Sequence, residues 1–157
     1  MSICLDMDPD NWRAVNDGVM GGLSRGRMVP VDDALRFEGE LSLENNGGFA
    51  SVRRTVGMDL SGAAAVRLQL RGDGRRYQFR IRQDGGLDGI AWRAEFDTSG
   101  DWQTVVLPLA EFVPVFRGRL VAGVGLVEPA RIAQIGFMLA DRNPGAFALD
   151  VRSIEFV

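Results

Sequence analysis

Arginine and glutamine fill every second position in Arg67-Leu68-Gln69-Leu70-Arg71 and Gln78-Phe79-Arg80-Ile81-Arg82, and Arg93-Ala94-Glu95 repeats the spacing. Side chains on an extended strand alternate between two faces, so each polar set shares one side and leaves the apolar residues on the other. The break Gly72-Asp73-Gly74 between the first two stretches reads as a tight antiparallel connection. That reading places Leu68, Leu70, Phe79 and Ile81 on the core. It places Arg67, Gln69, Arg71, Gln78, Arg80 and Arg82 together on the opposite face of one sheet. Arg93 and Glu95 join if the strand around Trp92 is a neighbour, and Arg53 joins from the 48–56 segment. Guanidinium groups at strand spacing can grip carboxylates through two parallel hydrogen bonds or stack on flat ligands. The plainer alternative is a solvated outer face whose arginines pair with Glu38, Glu40 and Glu95.

Two glycine-rich segments offer a second candidate. In Asn16-Asp17-Gly18-Val19-Met20-Gly21-Gly22-Leu23-Ser24 the glycines permit positive φ and close backbone approach, while Asp17 and Ser24 can bond nearby backbone N–H groups. The spacing is wrong for a dinucleotide fingerprint, and no strand–helix unit surrounds it. The bland reading is a packed loop in which Met20 fills a gap. Asn45-Asn46-Gly47-Gly48-Phe49 reads as a turn, or as a partner whose Asn45 and Asn46 side-chain amides meet the Asp17 loop in a small polar site. Asp6, Asp8 and Asp10 resemble half of a calcium loop but lack the following glycine and the distal glutamate, so a solvated turn is the better reading and no metal site is assigned.

Composition removes whole classes of chemistry. There is no histidine, and every one of the 18 basic residues is arginine. The commonest general base, Schiff-base chemistry and the phosphate-loop lysine are therefore missing. The single cysteine, Cys4, rules out an internal disulfide and a multi-thiolate zinc site, and agrees with a reducing compartment. Net charge is −3, against the basic excess usual in nucleic-acid binders. Apolar runs are strand-sized, far below the roughly 20 residues of a spanning helix, so no membrane insertion is expected. No cofactor is implied, and non-enzymatic binding is the expectation.

The elements that must position these groups are nearly all strands. Alternation or apolar runs mark 25–31, 35–41, 48–56, 66–71, 77–82, 90–96, 102–107, 135–140 and 146–157. Asp32-Asp33, Asp84-Gly85-Gly86 and Asn143-Pro144-Gly145 carry turn chemistry. Pro9–Trp12, Leu109–Phe112 and Pro129–Ala133 have room for about one helical turn each. Many short strands with 20 glycines among them predict a β-sandwich or jelly roll occupying residues 1–157 as one domain.

Trp12 with the segment from Val15 through Ser24 resembles the opening signature of the complex I intermediate-associated protein 30 family. Phe37-Glu38-Gly39-Glu40-Leu41-Ser42 and the 45–53 segment are similar to its second block, and Gly72-Asp73-Gly74-Arg75-Arg76-Tyr77 to its third. Trp102, Val106-Leu107-Pro108, Phe112, Ile135-Gly136-Phe137 through Asp141, and Gly145-Ala146-Phe147 resemble its C-terminal half. The resemblance implies a galactose-binding-like jelly roll of two antiparallel sheets, as in several carbohydrate-binding modules. For the mitochondrial relatives it also implies a chaperone role in assembling respiratory NADH:ubiquinone oxidoreductase. Without a targeting segment the sequence looks like a bacterial, cytoplasmic member. Protein partners, respiratory complex I subunits or intermediates, are then the leading expectation. The alternative is a carbohydrate or other small ligand on the concave sheet face, with Trp92, Gln78, Arg80 and Arg82 as contacts.

Overall fold

A computed structural model describes residues 2–20, 22–85 and 89–157, without the side chains of Val19, Met20 and Asn46. In chain order the strands are β1 (Ile3–Cys4), β2 (Arg13–Ala14), β3 (Arg25–Val31), β4 (Ala34–Leu41), β5 (Ala50–Thr55), β6 (Ala65–Arg71) and β7 (Arg76–Arg82). They continue as β8 (Ala91–Asp97), β9 (Gln103–Pro108), β10 (Val113–Phe116), β11 (Arg119–Leu120), β12 (Gln134–Leu139) and β13 (Gly145–Phe156). Only short 3₁₀ turns interrupt them, at Pro9–Asn11, Asp17–Met20, Glu44–Asn46, Leu109–Glu111 and Pro129–Arg131 among the described residues.

The strands form two antiparallel sheets. One runs β3-β4-β13-β6-β9, with β1 also pairing on β13; the other runs β11-β10-β8-β7-β12-β5-β2. Each strand turns its apolar alternation inward, so the sheets bury Phe37, Leu68, Leu70, Leu149 and Val151 from one side against Val52, Phe79, Ile81 and Phe137 from the other. Tyr77 of β7 bridges the layers, 6.2 Å from Phe37 and 6.4 Å from Phe147, and other rings pack as neighbours within each sheet. Phe79 meets Phe137 at 5.3 Å between ring centroids, Trp12 stacks on Phe137 at 5.8 Å, and Phe37 meets Phe147 at 4.9 Å. This is the jelly-roll β-sandwich expected from the strand pattern.

One expectation is overturned. Gly72-Asp73-Gly74 does not join a hairpin: β6 pairs with β13 and β9, whereas β7 pairs with β12 and β8 in the other sheet. Alternation reveals which face of a strand meets the core, but not which sheet the strand belongs to. The segment crosses the end of the sandwich. Gly72 N–H donates to Ser99 O at 2.9 Å, and a Cβ on Gly72 would lie 2.2 Å from the Thr98 Cβ. Asp73 accepts from the Tyr77 hydroxyl and from Ala148 N–H, and Arg75 pairs with Asp141. Arg67, Gln69 and Arg71 consequently lie on the opposite outer face of the molecule from Gln78, Arg80 and Arg82. Glu38 and Glu40, on β4, are with the first group and cannot neutralise the second.

Phe137 of β12 is fully buried and packs against Phe79 and Trp12. Phe137→Ala should cost about 3–5 kcal/mol of folding stability, read as a lower urea midpoint at unchanged slope.

Candidate functional site

Strand register places arginines side by side on the outer face of the β7-containing sheet. Arg13 is opposite Arg53, Arg53 opposite Gly136, Gly136 opposite Arg80, and Arg80 opposite Arg93. With neighbouring strands ~4.8 Å apart, this row extends about 20 Å. Arg82 and Gln134 pair in the next row on one side, and Met138, Gln78 and Glu95 follow one another in the row on the other. The acids that alternate onto this face from β8, Glu95 and Asp97, both accept hydrogen bonds from Arg76. Like charges directly opposite on a sheet are destabilising, so the Arg80–Arg93 pair is held by the rest of the fold rather than stabilising it.

Gly136 interrupts the row at its centre, where the neighbouring backbone and the Arg53 stem come close. A Cβ there would lie 2.5 Å from Val52 O and 3.3 Å from Arg53 Cγ, so no other residue fits without displacing backbone. What remains at the surface is a dimple of only about 10 Å³, lined by Gly136, Arg53, Arg80, Arg82 and Gln134. Arg53 and Arg82 are buried, which fixes their stems. Arg82 Nη1 donates to Gly89 O at 3.1 Å, and Arg80 Nη1 to the neutral Gln78 Oε1 at 2.8 Å. Burial, and then the guanidinium groups of Arg82, Arg53 and Arg93, push the Arg80 pKa down to about 9.

The opposite outer face is built differently. Arg36 and Arg71 both grip Asp150, at 2.7 and 2.8 Å; Arg67 pairs with Glu155 and Arg27 with Glu38. Burial raises the Asp150 pKa, but hydrogen bonds from Arg36 and Arg71 outweigh it and hold the carboxyl below its ordinary value. Arg152 and Arg71 lie over the Trp102 ring at 3.8 and 4.7 Å. Every arginine named there has an anionic or aromatic partner.

At one end of the sandwich Asp17 is fully buried, and its carboxylate joins the two glycine-rich segments. Oδ1 accepts from Ser24 N–H at 2.8 Å, and Oδ2 from Gly48 N–H at 2.7 Å and Phe49 N–H at 3.3 Å. The Asp17 N–H returns a bond to Phe49 O, at 3.1 Å. Glycine is required on both sides: a Cβ at Gly22 would lie 2.4 Å from Asp17 Cγ, and one at Gly47 2.5 Å from Oδ2. Burial raises the Asp17 pKa, yet the bonds from Ser24, Gly48 and Phe49 outweigh it and leave the carboxyl below the usual range.

The family model described as "Complex I intermediate-associated protein 30" matches residues 5–151. The chain belongs to that family. It is 27% identical over 169 residues to the mouse protein named "Complex I intermediate-associated protein 30, mitochondrial", covering 92% of this chain and 51% of that protein. The chain thus spans about half the length of the mouse relative. An uncharacterized Schizosaccharomyces pombe protein is 25% identical over 177 residues, covering 95% of this chain and 81% of that one. Among solved structures, a family 11 carbohydrate-binding module from Clostridium thermocellum superposes with a TM-score of 0.75 at 17% identity, covering 100% of this chain and 94% of that one. A family 29 carbohydrate-binding module superposes with a TM-score of 0.59 at 10% identity, covering 100% and 91%. These structures share the fold.

Within the complex I intermediate-associated protein 30 family frame, the predicted residues divide among three places. Arg53, Gln78, Arg80 and Arg82 come together on the arginine-bearing face. Trp92 does not join them: it is buried opposite Ile81 on the core side, and its Nε1–H donates to Gly125 O at 3.1 Å. Asp17 sits in the end staple, which is closed by the backbone N–H groups of Gly48 and Phe49 while Asn45 is exposed at φ 56°. The side chains of Met20 and Asn46 lie outside those described. Asp6 and Asp8 cap the Pro9 turn, and Asp6 also pairs with Arg54; no metal-holding acid cluster occurs among the described residues. Two members of the face, Arg13 and Gly136, were not singled out from the sequence. β2 is too short to show alternation, and Gly136 inside an apolar strand was the available sign of close backbone approach.

Asp17→Asn puts an amide where three N–H donors converge and should cost about 1–3 kcal/mol at pH 7. Because the folded pKa is lowered, the carboxylate stabilises fully above the ordinary aspartate pKa of about 3.9, and this is lost as pH falls through the folded value. The urea midpoints of wild type and variant should therefore differ at neutral pH and converge in acid.

Proposed function

We propose that this chain is a non-enzymatic, protein-binding assembly factor acting on respiratory NADH:ubiquinone oxidoreductase. The observation that carries this reading is the family match across residues 5–151, joined by a mouse relative whose name ties it to complex I intermediates. The site chemistry supports binding over catalysis. The buried carboxylates of Asp17 and Asp150 are each fully engaged, by backbone N–H groups and by two arginines respectively, which leaves neither poised as a general base. An exposed free thiol at Cys4 fits the reducing cytoplasm.

Carbohydrate is the competing ligand, since the fold is shared with sugar-binding modules. Sugar C–H faces stack on aromatic rings. No ring alternates onto the arginine-bearing face from β5, β12, β7 or β8, because Phe79, Trp92, Phe96 and Phe137 all point to the core. That arrangement favours a partner offering anionic groups over a neutral glycan.

Deleting the protein from its source organism should reduce assembled NADH:ubiquinone oxidoreductase on native gels, with subcomplexes accumulating. Tagged protein should co-purify with complex I subunits. A normal level of assembled enzyme in the deletion strain would contradict the proposal, and glycan-array binding well above background would favour carbohydrate.

A further inference from the structure

The edges of the two sheets are finished differently. β1, β2 and β11 are two residues long, and β3 carries Arg25, Arg27 and Pro30. Shortness, charge and proline are the ordinary devices that stop an edge strand from pairing with another chain. β9 has none of them before Pro108 closes it. Gln103-Thr104-Val105-Val106-Leu107 is uncharged, free of proline and glycine, and rich in β-branched residues. The strand ends its sheet, with β6 on one side only.

One bond shows which backbone groups that edge presents. Leu109 N–H donates to Ala64 O at 2.9 Å, which makes Ala65 and Pro108 a non-hydrogen-bonded pair of the β6–β9 ladder. Val66–Leu107 and Leu68–Val105 are then the bonded pairs, and the N–H and C=O groups of Thr104 and Val106 point off the open edge. Apolar exposure gathers on the same side of the sandwich. β3 lies against β2 and β5, so β9, at the far end of its sheet, falls beside β10 and β11. Leu107 and Pro108 line one open cleft of about 250 Å³ with Arg93 and Val113. Val106, Val113, Phe116 and Leu120 are all exposed there, Val106 at 53% and Leu120 at 71%. Apolar groups gathered on one side of a molecule mark an interaction surface.

We propose that β9 is a homodimer contact, pairing antiparallel with β9 of a second copy about a two-fold axis through Val105. The edge selects this occupant because it is complementary to itself. Thr104 meets Val106 of the second copy and Val106 meets its Thr104, each pair exchanging both N–H···O bonds. Gln103 meets Leu107, and no charge faces a like charge. The same operation at β3 would juxtapose two sets of arginines and leave Pro30 with no N–H to donate. A single short ladder buries less than the roughly 1,200 Å² of a standard interface, so the dimer dissociates on dilution. This inference goes beyond the assembly reading and does not rest on it.

The test is sedimentation equilibrium of the purified full chain from micromolar to millimolar concentration, with amide hydrogen exchange at both ends of the series. Wild type should pass from monomer to dimer, and the Thr104 and Val106 amides should gain protection as it does. Val105 and Leu107, bonded to β6, should stay protected throughout. Val106→Lys should melt like wild type and weaken self-association about tenfold or more, because a charge on an edge blocks pairing. Leu43→Lys, at an exposed residue after β4, should leave it intact. Cys4 is exposed, so the register is probed in a Cys4→Ser background. There Val105→Cys should form an intermolecular disulfide on oxidation, since non-hydrogen-bonded antiparallel pairs bring Cα atoms to about 4.5 Å. The proposal is overturned if the chain stays monomeric, if Val106→Lys associates like wild type, if Leu43→Lys weakens association equally, or if Val105→Cys does not cross-link. A monomeric chain whose Val106→Lys variant loses complex I co-purification would assign the edge to a foreign strand instead. Monomeric behaviour alone would leave the assembly reading untouched, and normal complex I in a deletion strain would leave this edge standing.

Discussion

Phe79 and Phe137 meet edge to face at 5.3 Å in the middle of the sandwich, and that contact dictates the outer surface. Side chains alternate along a strand, so burying Phe79 and Ile81 turns Gln78, Arg80 and Arg82 outward. Burying Ile135 and Phe137 turns Gly136 outward between them, and burying Val52 does the same for Arg53. A slip of one residue in any of these strands would drive guanidinium groups into the core, so the register is fixed by burial. Packing of the core thereby assembles the arginine row.

The molecule treats its charges in two ways. On the β4–β13–β6 side, Asp150 and Glu155 neutralise the neighbouring arginines and form a stabilised ionic surface. At the sandwich end, Asp17 spends its negative charge on three backbone N–H groups and ties two loops together. On the β7 face Arg80 stands opposite Arg93, while Glu95 and Asp97 both turn to Arg76.

Much of the fold was legible in the sequence. β3 runs from Arg25 to Val31 as the alternation predicts, and the Pro9, Leu109 and Pro129 turns form where expected. The partition of strands between sheets was not legible, because Leu68-Leu70 and Phe79-Ile81 present the same alternation whether they pair or face each other. Trp92 illustrates a similar limit: its position beside Arg93 said that the two diverge, and only the pairing with Ile81 shows that the ring is the buried one. The Asp17 staple was half visible. Its glycines and caps could be read locally, but the N–H donors at Gly48 and Phe49 come from 31 and 32 residues away. The arginine row needed three registers at once, and Arg13 lies in a strand of two residues.

The dependence of this face on the core is tested most directly by native-state amide hydrogen exchange of the wild type and Phe137→Ala. Amides of the interior strands β5, β12 and β7 should lose protection together in the variant. Loss confined to the residues flanking Phe137, with β5 and β7 unchanged, would contradict it.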